Sequence, residues 1–126
     1  MSDRSTIFVV EDDSAVQDSL KALLESVNLV VESYASGSAF LDAIGDRRGG
    51  CVLLDIDLPD IDGLEVLDRL ERAGNDIPVI LVSGRLDRAM RNRVRGTRAI
   101  ALLEKPMRDD LLLDLIGEAL NGDKRT

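Results

Sequence analysis

The chain has 126 residues, of which 44% are hydrophobic and 32% are charged, and its formal net charge is −8. This length predicts a single domain over residues 1–126, and the acidic balance argues against direct binding of nucleic acid by that domain. Because the sequence contains no histidine, histidine metal sites and histidine acid–base catalysis are excluded.

The single cysteine and the N-terminal segment indicate an intracellular setting. Cys51 lies inside an apolar run, so we interpret it as a small buried hydrophobic residue and not as half of a disulfide. No stretch has the length of a membrane span, and the residues before Ile7 lack the long apolar region of a signal peptide. We therefore expect a cytoplasmic domain without a membrane partner.

Five short apolar runs, each closed by turn residues, alternate with segments of helical periodicity. Such runs are typical of strands buried on both faces of a parallel sheet. The predicted strands cover residues 6–10, 29–34, 51–55, 77–82 and 100–103. Strands that alternate with helices through short turns predict an α/β domain, in which helices cover both faces of a five-stranded parallel sheet.

Each predicted strand is followed by a segment whose apolar residues stand three or four positions apart, which is typical of an amphipathic helix. The first of these helices carries Val16, Leu20, Leu23, Leu24 and Val27. The predicted starts of helices two, three and five are Ser36, Asp62 and Asp109. The apolar stripe of helix four is Leu86, Met90 and Val94, and a polar tail covers residues 121–126.

Polar residues stand at the ends of four of the five predicted strands. They are Glu11, Asp12 and Asp13 after the first, Asp55 and Asp57 at the third, Ser83 after the fourth and Lys105 after the fifth. Parallel strands end at one edge of the sheet, where ligands bind in open α/β folds, so we expect these side chains to lie together. Capping or turn formation explains each of them alone, but not their joint appearance.

The chemistry of this set favours a metal ion and a phosphoryl group. Carboxylates crowded at one edge repel one another, and a divalent cation relieves that cost. Mg²⁺ is typically bound by one or two carboxylates together with water and phosphate oxygens. Asp55, held by a rigid strand, is a candidate nucleophile or metal ligand, while Lys105 adds a positive charge and Ser83 a hydroxyl donor.

Four motifs follow one another at these strand ends. They are VVEDD at Val9–Asp13, LLDIDLPDIDG at Leu53–Gly63, VSG at Val82–Gly84 and LLEKP at Leu102–Pro106. In this order and spacing they resemble the receiver domain of the bacterial two-component response regulators, over essentially the whole chain. The resemblance implies a flavodoxin-like (βα)5 fold with strand order 2-1-3-4-5.

The resemblance also implies a metal site and a phosphoryl acceptor. Asp12 would bind Mg²⁺ directly beside Asp55, Glu11 would act through water, and Asp57 would contribute its backbone carbonyl. Asp55 would accept a phosphoryl group from the phosphohistidine of a sensor histidine kinase or phosphotransfer protein. The domain would then be no enzyme beyond Mg²⁺-dependent self-phosphorylation and self-dephosphorylation.

Two further residues have implied roles in phosphoryl transfer. Lys105 would pair with the phosphoryl oxygens, and Ser83 would move to hydrogen-bond them. The Lys105–Pro106 peptide would be cis and would aim the lysine. These roles agree with the physics of phosphoryl transfer, which depends mainly on positioning and charge neutralisation.

The sequence departs from the family pattern where an aromatic residue often stands three positions before the lysine. Leu102 occupies that position, so a relay from Ser83 to an aromatic ring cannot operate. Asp57 and Arg85 each lie two residues beyond a site residue. We hypothesise that they pair across the phosphoryl group and modulate its lifetime.

Helix four is rich in arginine. Arg88, Arg91 and Arg95 fall on one face, which is either a solvated face or, together with Leu102, a surface for an acidic partner. Leu111 and Leu113 on helix five lie off its inward stripe, so they are either exposed to a partner or a second copy, or part of a wider buried face. These features suggest a downstream protein target, or a homodimer formed through helix four, strand five and helix five.

Several functions stay open at this point. The domain is a phosphorylation-controlled signalling switch that stands alone, or a receiver cut from a longer protein with a DNA-binding or enzymatic part. A phosphatase of the haloacid-dehalogenase type is an alternative, since Asp55-Ile56-Asp57 resembles its DxD motif, although Pro59 does not fit it. A third alternative is a pseudo-receiver that binds a partner without phosphorylation.

Overall fold

The computed structural model describes residues 5–123, with the side chains of residues 5–121. The strands are β1 (Thr6–Val10), β2 (Val30–Tyr34), β3 (Cys51–Asp55), β4 (Val79–Ser83) and β5 (Ala101–Glu104). The helices are α1 (Ser14–Ser26), α2 (Gly37–Ile44), α3 (Gly63–Arg72), α4 (Arg88–Arg95) and α5 (Asp109–Asp123). The predicted polar tail lies partly inside α5 and otherwise outside the described residues.

The five strands form one parallel sheet in the order β2-β1-β3-β4-β5, which confirms the predicted fold class and strand order. The register pairs Val10 with Leu54, Asp55 with Val82 and Ser83 with Glu104. The ends of β1, β3, β4 and β5 therefore lie side by side, and the residues that follow them share one edge.

Alternate residues of the central strands point to opposite faces of the sheet and belong to two separate hydrophobic layers. One layer, which contains Phe8, Leu54 and Leu81, packs against α2 and α3, with Met90 and Val94 of α4 at its border. The other layer packs against α1 and α5 and contains Ile7, Val9, Cys51, Leu53, Ile80 and Val82. Cys51 is buried as predicted. Strands covered on both faces explain why the apolar runs are nearly continuous.

Short polar side chains define the starts of several helices. Asp62 accepts a hydrogen bond from the Glu65 N–H at 2.9 Å, and Ser36 accepts one from the Ala39 N–H at 3.1 Å, which confirms both predicted starts. The predicted stripe of α4 is wrong at Leu86, because Asp87 caps the helix and α4 begins only at Arg88.

None of the helices within residues 5–123 combines the length and the apolar character that a membrane crossing requires.

Candidate functional site

Three carboxylates meet at the carboxyl edge of the sheet. Glu11 and Asp12 follow β1, Asp55 ends β3, and one oxygen from each of the three lies within 4.8 Å of the others. Glu11 is 4% exposed and Asp55 is 3% exposed, whereas Asp12 faces solvent. A hard divalent cation prefers oxygen ligands of this kind, so the residues present fit the magnesium ion that the sequence suggests.

Lys105 connects two of these carboxylates. Its Nζ donates to Glu11 Oε1 at 2.8 Å and to Asp55 Oδ2 at 2.9 Å. The lysine follows β5, its backbone N–H donates to the Ser83 carbonyl at 2.9 Å, and the peptide to Pro106 is cis, as predicted. One cation is thus held directly against the buried Asp55 carboxylate.

The pKa values of Glu11 and Lys105 record this crowding. Burial raises the pKa of Glu11, and the Asp55 charge adds to the rise, while hydrogen bonds from Lys105 and from the Asp13 N–H oppose it. Burial lowers the pKa of Lys105, but the hydrogen bonds and charges of Glu11 and Asp55 outweigh it and leave that pKa raised. The lysine is therefore fully charged at neutral pH.

The Asp57 side chain makes contacts that the sequence analysis missed. Its Oδ2 lies 3.2 Å from Ser83 Oγ and 3.2 Å from the Gly84 nitrogen, and its own N–H donates to Asp55 Oδ1 at 2.9 Å. Ser83 is fully buried, and its hydroxyl lies 3.0 Å from the Arg85 carbonyl, a second acceptor. The carboxylate of Asp57 thus bonds to β4 and the loop after it, and not to the guanidinium of Arg85.

The loop after Asp55 is held from two sides. A Cβ at Gly63 would lie 2.6 Å from the Asp55 carbonyl oxygen, so only glycine permits this close approach. Asp60 accepts hydrogen bonds from the backbone N–H groups of Gly37 at 3.2 Å and Ser38 at 3.0 Å. Hydrogen bonds from the Ser38 side chain and from these backbone groups lower the pKa of Asp60.

The arginine-rich helix α4 lies beside this site. Among the described residues, the arginine side chains without a hydrogen bond or ion pair are Arg85, Arg88, Arg91 and Arg95. Arg93 of the same helix lies 3.6 Å from Asp62 in an ion pair. A depression of about 610 Å³ separates the helix from the site, and its lining includes Asp57, Gly84, Arg85, Asp87, Met90 and Arg93.

The surface of β5 and α5 is only partly as predicted. Ile100 is 48% exposed and Leu111 is 44% exposed, but Leu113 is partly buried against the layer formed with α1. Leu102 is half-buried and packs against the layer formed with α2 and α3. It is therefore only partly available to a partner.

Comparison with known proteins is consistent with this geometry. The profile of the response regulator receiver domain matches residues 7–117. The response regulator protein TodT of Pseudomonas putida is 38% identical over 121 residues, which are 95% of this chain and 53% of TodT. The transcriptional regulatory protein FixJ of Bradyrhizobium diazoefficiens is 34% identical over 120 residues, which are 95% of this chain and 58% of FixJ.

Solved structures lead to the same family. A CheY-like receiver domain protein from Methanospirillum hungatei superposes with a TM-score of 0.89 at 30% identity, covering 97% of this chain and 98% of that one. The response regulator StyR superposes with a TM-score of 0.87 at 33% identity, covering 94% of this chain and 60% of StyR. The chain spans about half the length of the curated relatives that it matches. It belongs to the response regulator receiver domain family.

Proposed function

We propose that the domain is a phosphorylation-activated switch in which Asp55 accepts a phosphoryl group from a phosphohistidine of a sensor histidine kinase or phosphotransfer protein. The observation that carries this proposal is the buried Asp55 carboxylate, which lies 2.9 Å from the Lys105 Nζ and within 4.8 Å of oxygens of Glu11 and Asp12. This arrangement offers a nucleophile together with the charges that phosphoryl transfer requires.

In the transfer, an oxygen of Asp55 forms a bond to phosphorus while the phosphorus–nitrogen bond of the phosphohistidine breaks. The imidazole nitrogen leaves with the electron pair. Lys105 stays beside the acceptor and neutralises charge on the phosphoryl oxygens, and the Ser83 hydroxyl donates to one of them. Glu11, Asp12, Asp55 and the Asp57 carbonyl would hold Mg²⁺, which supplies further charge neutralisation when bound.

The length of the relatives supports a role within a larger regulator. TodT is a response regulator and FixJ a transcriptional regulatory protein, and this chain covers 53% and 58% of them. We therefore favour a receiver whose phosphorylation controls a DNA-binding segment, over a receiver that acts alone. Such a switch would work in the cytoplasm.

The surface of α4, β5 and α5 supports contact with another protein. The unpaired arginines of α4 are exposed, Ile100 and Leu111 are exposed apolar residues, and α5 carries exposed acidic residues at Asp114 and Glu118. In a homodimer the basic helix of one copy would meet the acidic helix of its partner. A double substitution, Arg91→Glu with Arg95→Glu, should abolish a phosphorylation-dependent mass increase in sedimentation. If the double variant still shows the same phosphorylation-dependent mass increase as the parent protein, this dimer surface is excluded.

The phosphorylation itself is tested by intact mass after incubation with acetyl phosphate and Mg²⁺. We expect one added phosphoryl group on the parent protein, none on an Asp55→Asn variant, and none when Mg²⁺ is chelated beforehand. Hydrolysis of the donor by repeated turnover, unaffected by Asp55→Asn, would contradict the proposal. Absence of both adduct and turnover would indicate a pseudo-receiver that works through the arginines of α4.

A further inference from the structure

We propose that the Asp57 carboxylate is a latch: it holds Ser83 and Gly84 in the unphosphorylated state, and the phosphoryl group on Asp55 displaces it. The inference rests on the proposed phosphorylation of Asp55. It assigns to the Asp57 side chain a role separate from that of its backbone carbonyl.

The contacts of Asp57 place it between the acceptor and the loop that follows β4. Its N–H donates to Asp55 Oδ1 at 2.9 Å, while its Oδ2 lies 3.2 Å from both Ser83 Oγ and the Gly84 nitrogen. Asp55 is paired with Val82 in the sheet, and Ser83 directly follows Val82, so Ser83 lies close to the acceptor Asp55. The latch therefore spans the gap that a phosphoryl group on Asp55 would enter.

The Gly84 N–H donates to Asp57 Oδ2, and the one proton of the Ser83 hydroxyl is accepted by either Asp57 Oδ2 or the Arg85 carbonyl. Donors that converge on one anionic oxygen in this way form a site for an anion. A phosphoryl group carries about two negative charges and three acceptor oxygens, whereas the Asp57 carboxylate carries one charge. The phosphoryl group is thus the stronger acceptor for the Ser83 hydroxyl and the Gly84 N–H. It also repels the Asp57 carboxylate, since the two anions are attached to residues only two positions apart.

The displaced carboxylate has cations within its surroundings. Asp57 lines the depression of about 610 Å³ that Arg85 and Arg93 also line. Within the described part of the chain Arg85 has no side-chain partner, and Arg93 has only the 3.6 Å contact with Asp62. Release of the Asp57 carboxylate would thus move a negative charge toward α4 and away from the loop that follows β4. This route to α4 needs no aromatic ring at Leu102.

The test uses beryllofluoride with Mg²⁺ as the phosphoryl analogue and NMR of the Gly84 amide as the readout. We expect Asp57→Asn to bind beryllofluoride about five- to tenfold more tightly than the parent protein, because the neutral amide is a weaker competitor for the two donors. The Gly84 resonance of the unliganded variant should also shift toward its position in the adduct.

Asp87→Asn is the matched control. Asp87 lines the same depression and caps α4 through the Met90 N–H, a role that asparagine fills equally well, and it has no bond to Ser83 or Gly84. Its substitution removes the same charge and should change beryllofluoride affinity by less than about twofold.

Equal tightening by both variants would show a general field effect and overturn the latch, as would an Asp57→Asn variant that binds no more tightly than the parent. A parent protein that binds beryllofluoride while the latch test fails leaves the proposed phosphorylation standing. A parent protein that binds none contradicts the phosphorylation and, with it, the latch.

Discussion

The two edges of the sheet both bury polar side chains, but they bond them to different partners. At the amino edge Asn75 is 2% exposed, and its side chain donates to the carbonyls of Arg47 and Gly45 and accepts from the Ile77 N–H. Arg98 donates to the carbonyls of Asn75 and Ile77, each at 2.8 Å. All of these hydrogen-bond partners are backbone groups of loops, and Arg98 has one further contact, a 3.8 Å ion pair with the Glu71 side chain.

At the carboxyl edge the central bonds join side chains to side chains. Lys105 is shared by Glu11 and Asp55, and the Asp57 carboxylate bonds to the Ser83 hydroxyl. Under the proposed function these bonds would exchange on binding of a metal ion or a phosphoryl group, whereas the loop carbonyls at the other edge have no alternative partner once buried. The amino edge thus stabilises the fold, and the carboxyl edge holds the charges that the proposed phosphoryl transfer would use.

The largest effect is expected from Lys105→Met, which removes the cation of the carboxyl edge. We expect phosphorylation by acetyl phosphate to slow about a hundredfold or more, the effect typical of losing one group that stabilises developing charge. Mg²⁺ should bind more tightly at the same time, because the lysine no longer competes for Glu11 and Asp55. Quench-flow mass analysis and calorimetric Mg²⁺ titration measure the two changes.

The opposite directions of these changes exclude unfolding as their cause. Lys21→Met, at an exposed lysine of α1, serves as the control and should leave both quantities unchanged. A Lys105→Met variant that is phosphorylated as fast as the parent would show that the bridge to Asp55 is structural only.

The next largest effect is expected at the amino edge. Asn75→Ala leaves the Ile77 N–H and two loop carbonyls without their side-chain partner, so the free energy of unfolding should fall by about 2–3 kcal/mol. Urea unfolding measures the loss, with Asn92→Ala on the exposed face of α4 as the control. Phosphorylation of the folded variant should keep its rate. A slowing comparable with that of Lys105→Met would remove the distinction between the edges.

The sequence alone predicts the fold because its signals are local. Buried strands appear as apolar runs, and the residues after them must share an edge in any parallel sheet. The exceptions are local too. The fourth strand begins at Val79 and not at Ile77, since the Ile77 N–H is bonded to the Asn75 side chain and Pro78 has no N–H to donate. The hydrogen bond between the Asn75 side chain and the Ile77 N–H cannot be predicted from a pattern of apolar residues.

The candidate site was predictable only as a set of residues. The side-chain bonds of Asp57 reach residues 26 and 27 positions away, and those of Asp60 reach residues 22 and 23 positions away. Such contacts depend on the path of a loop, which neither spacing nor residue type determines. The Asp57 carboxylate accepts from Ser83 and Gly84, contacts that the sequence analysis did not predict, and its pairing with Arg85 across a phosphoryl group stays a prediction.

The smallest effect, and the sharpest contrast between the edges, is a dependence on pH. Burial raises the pKa of Glu11 above its ordinary value of 4.5. In the unfolded chain the carboxyl loses its proton near 4.5, whereas the folded protein keeps it to higher pH. Between the pKa of Glu11 in the unfolded chain and its higher pKa in the folded protein, the unfolded chain binds fewer protons. The free energy of unfolding therefore falls as pH rises through this range.

Glu11→Gln cannot titrate, and it should therefore flatten this decline by a fraction of about 1.4 kcal/mol per pH unit. Urea unfolding from about pH 4.5 upward, without Mg²⁺, measures the slope, and Glu118→Gln on the exposed face of α5 is the matched control. Parallel curves for the parent and Glu11→Gln would mean that the crowding at the carboxyl edge has no energetic consequence. The Asn75 side chain does not titrate, so Asn75→Ala should lower the free energy of unfolding equally at every pH.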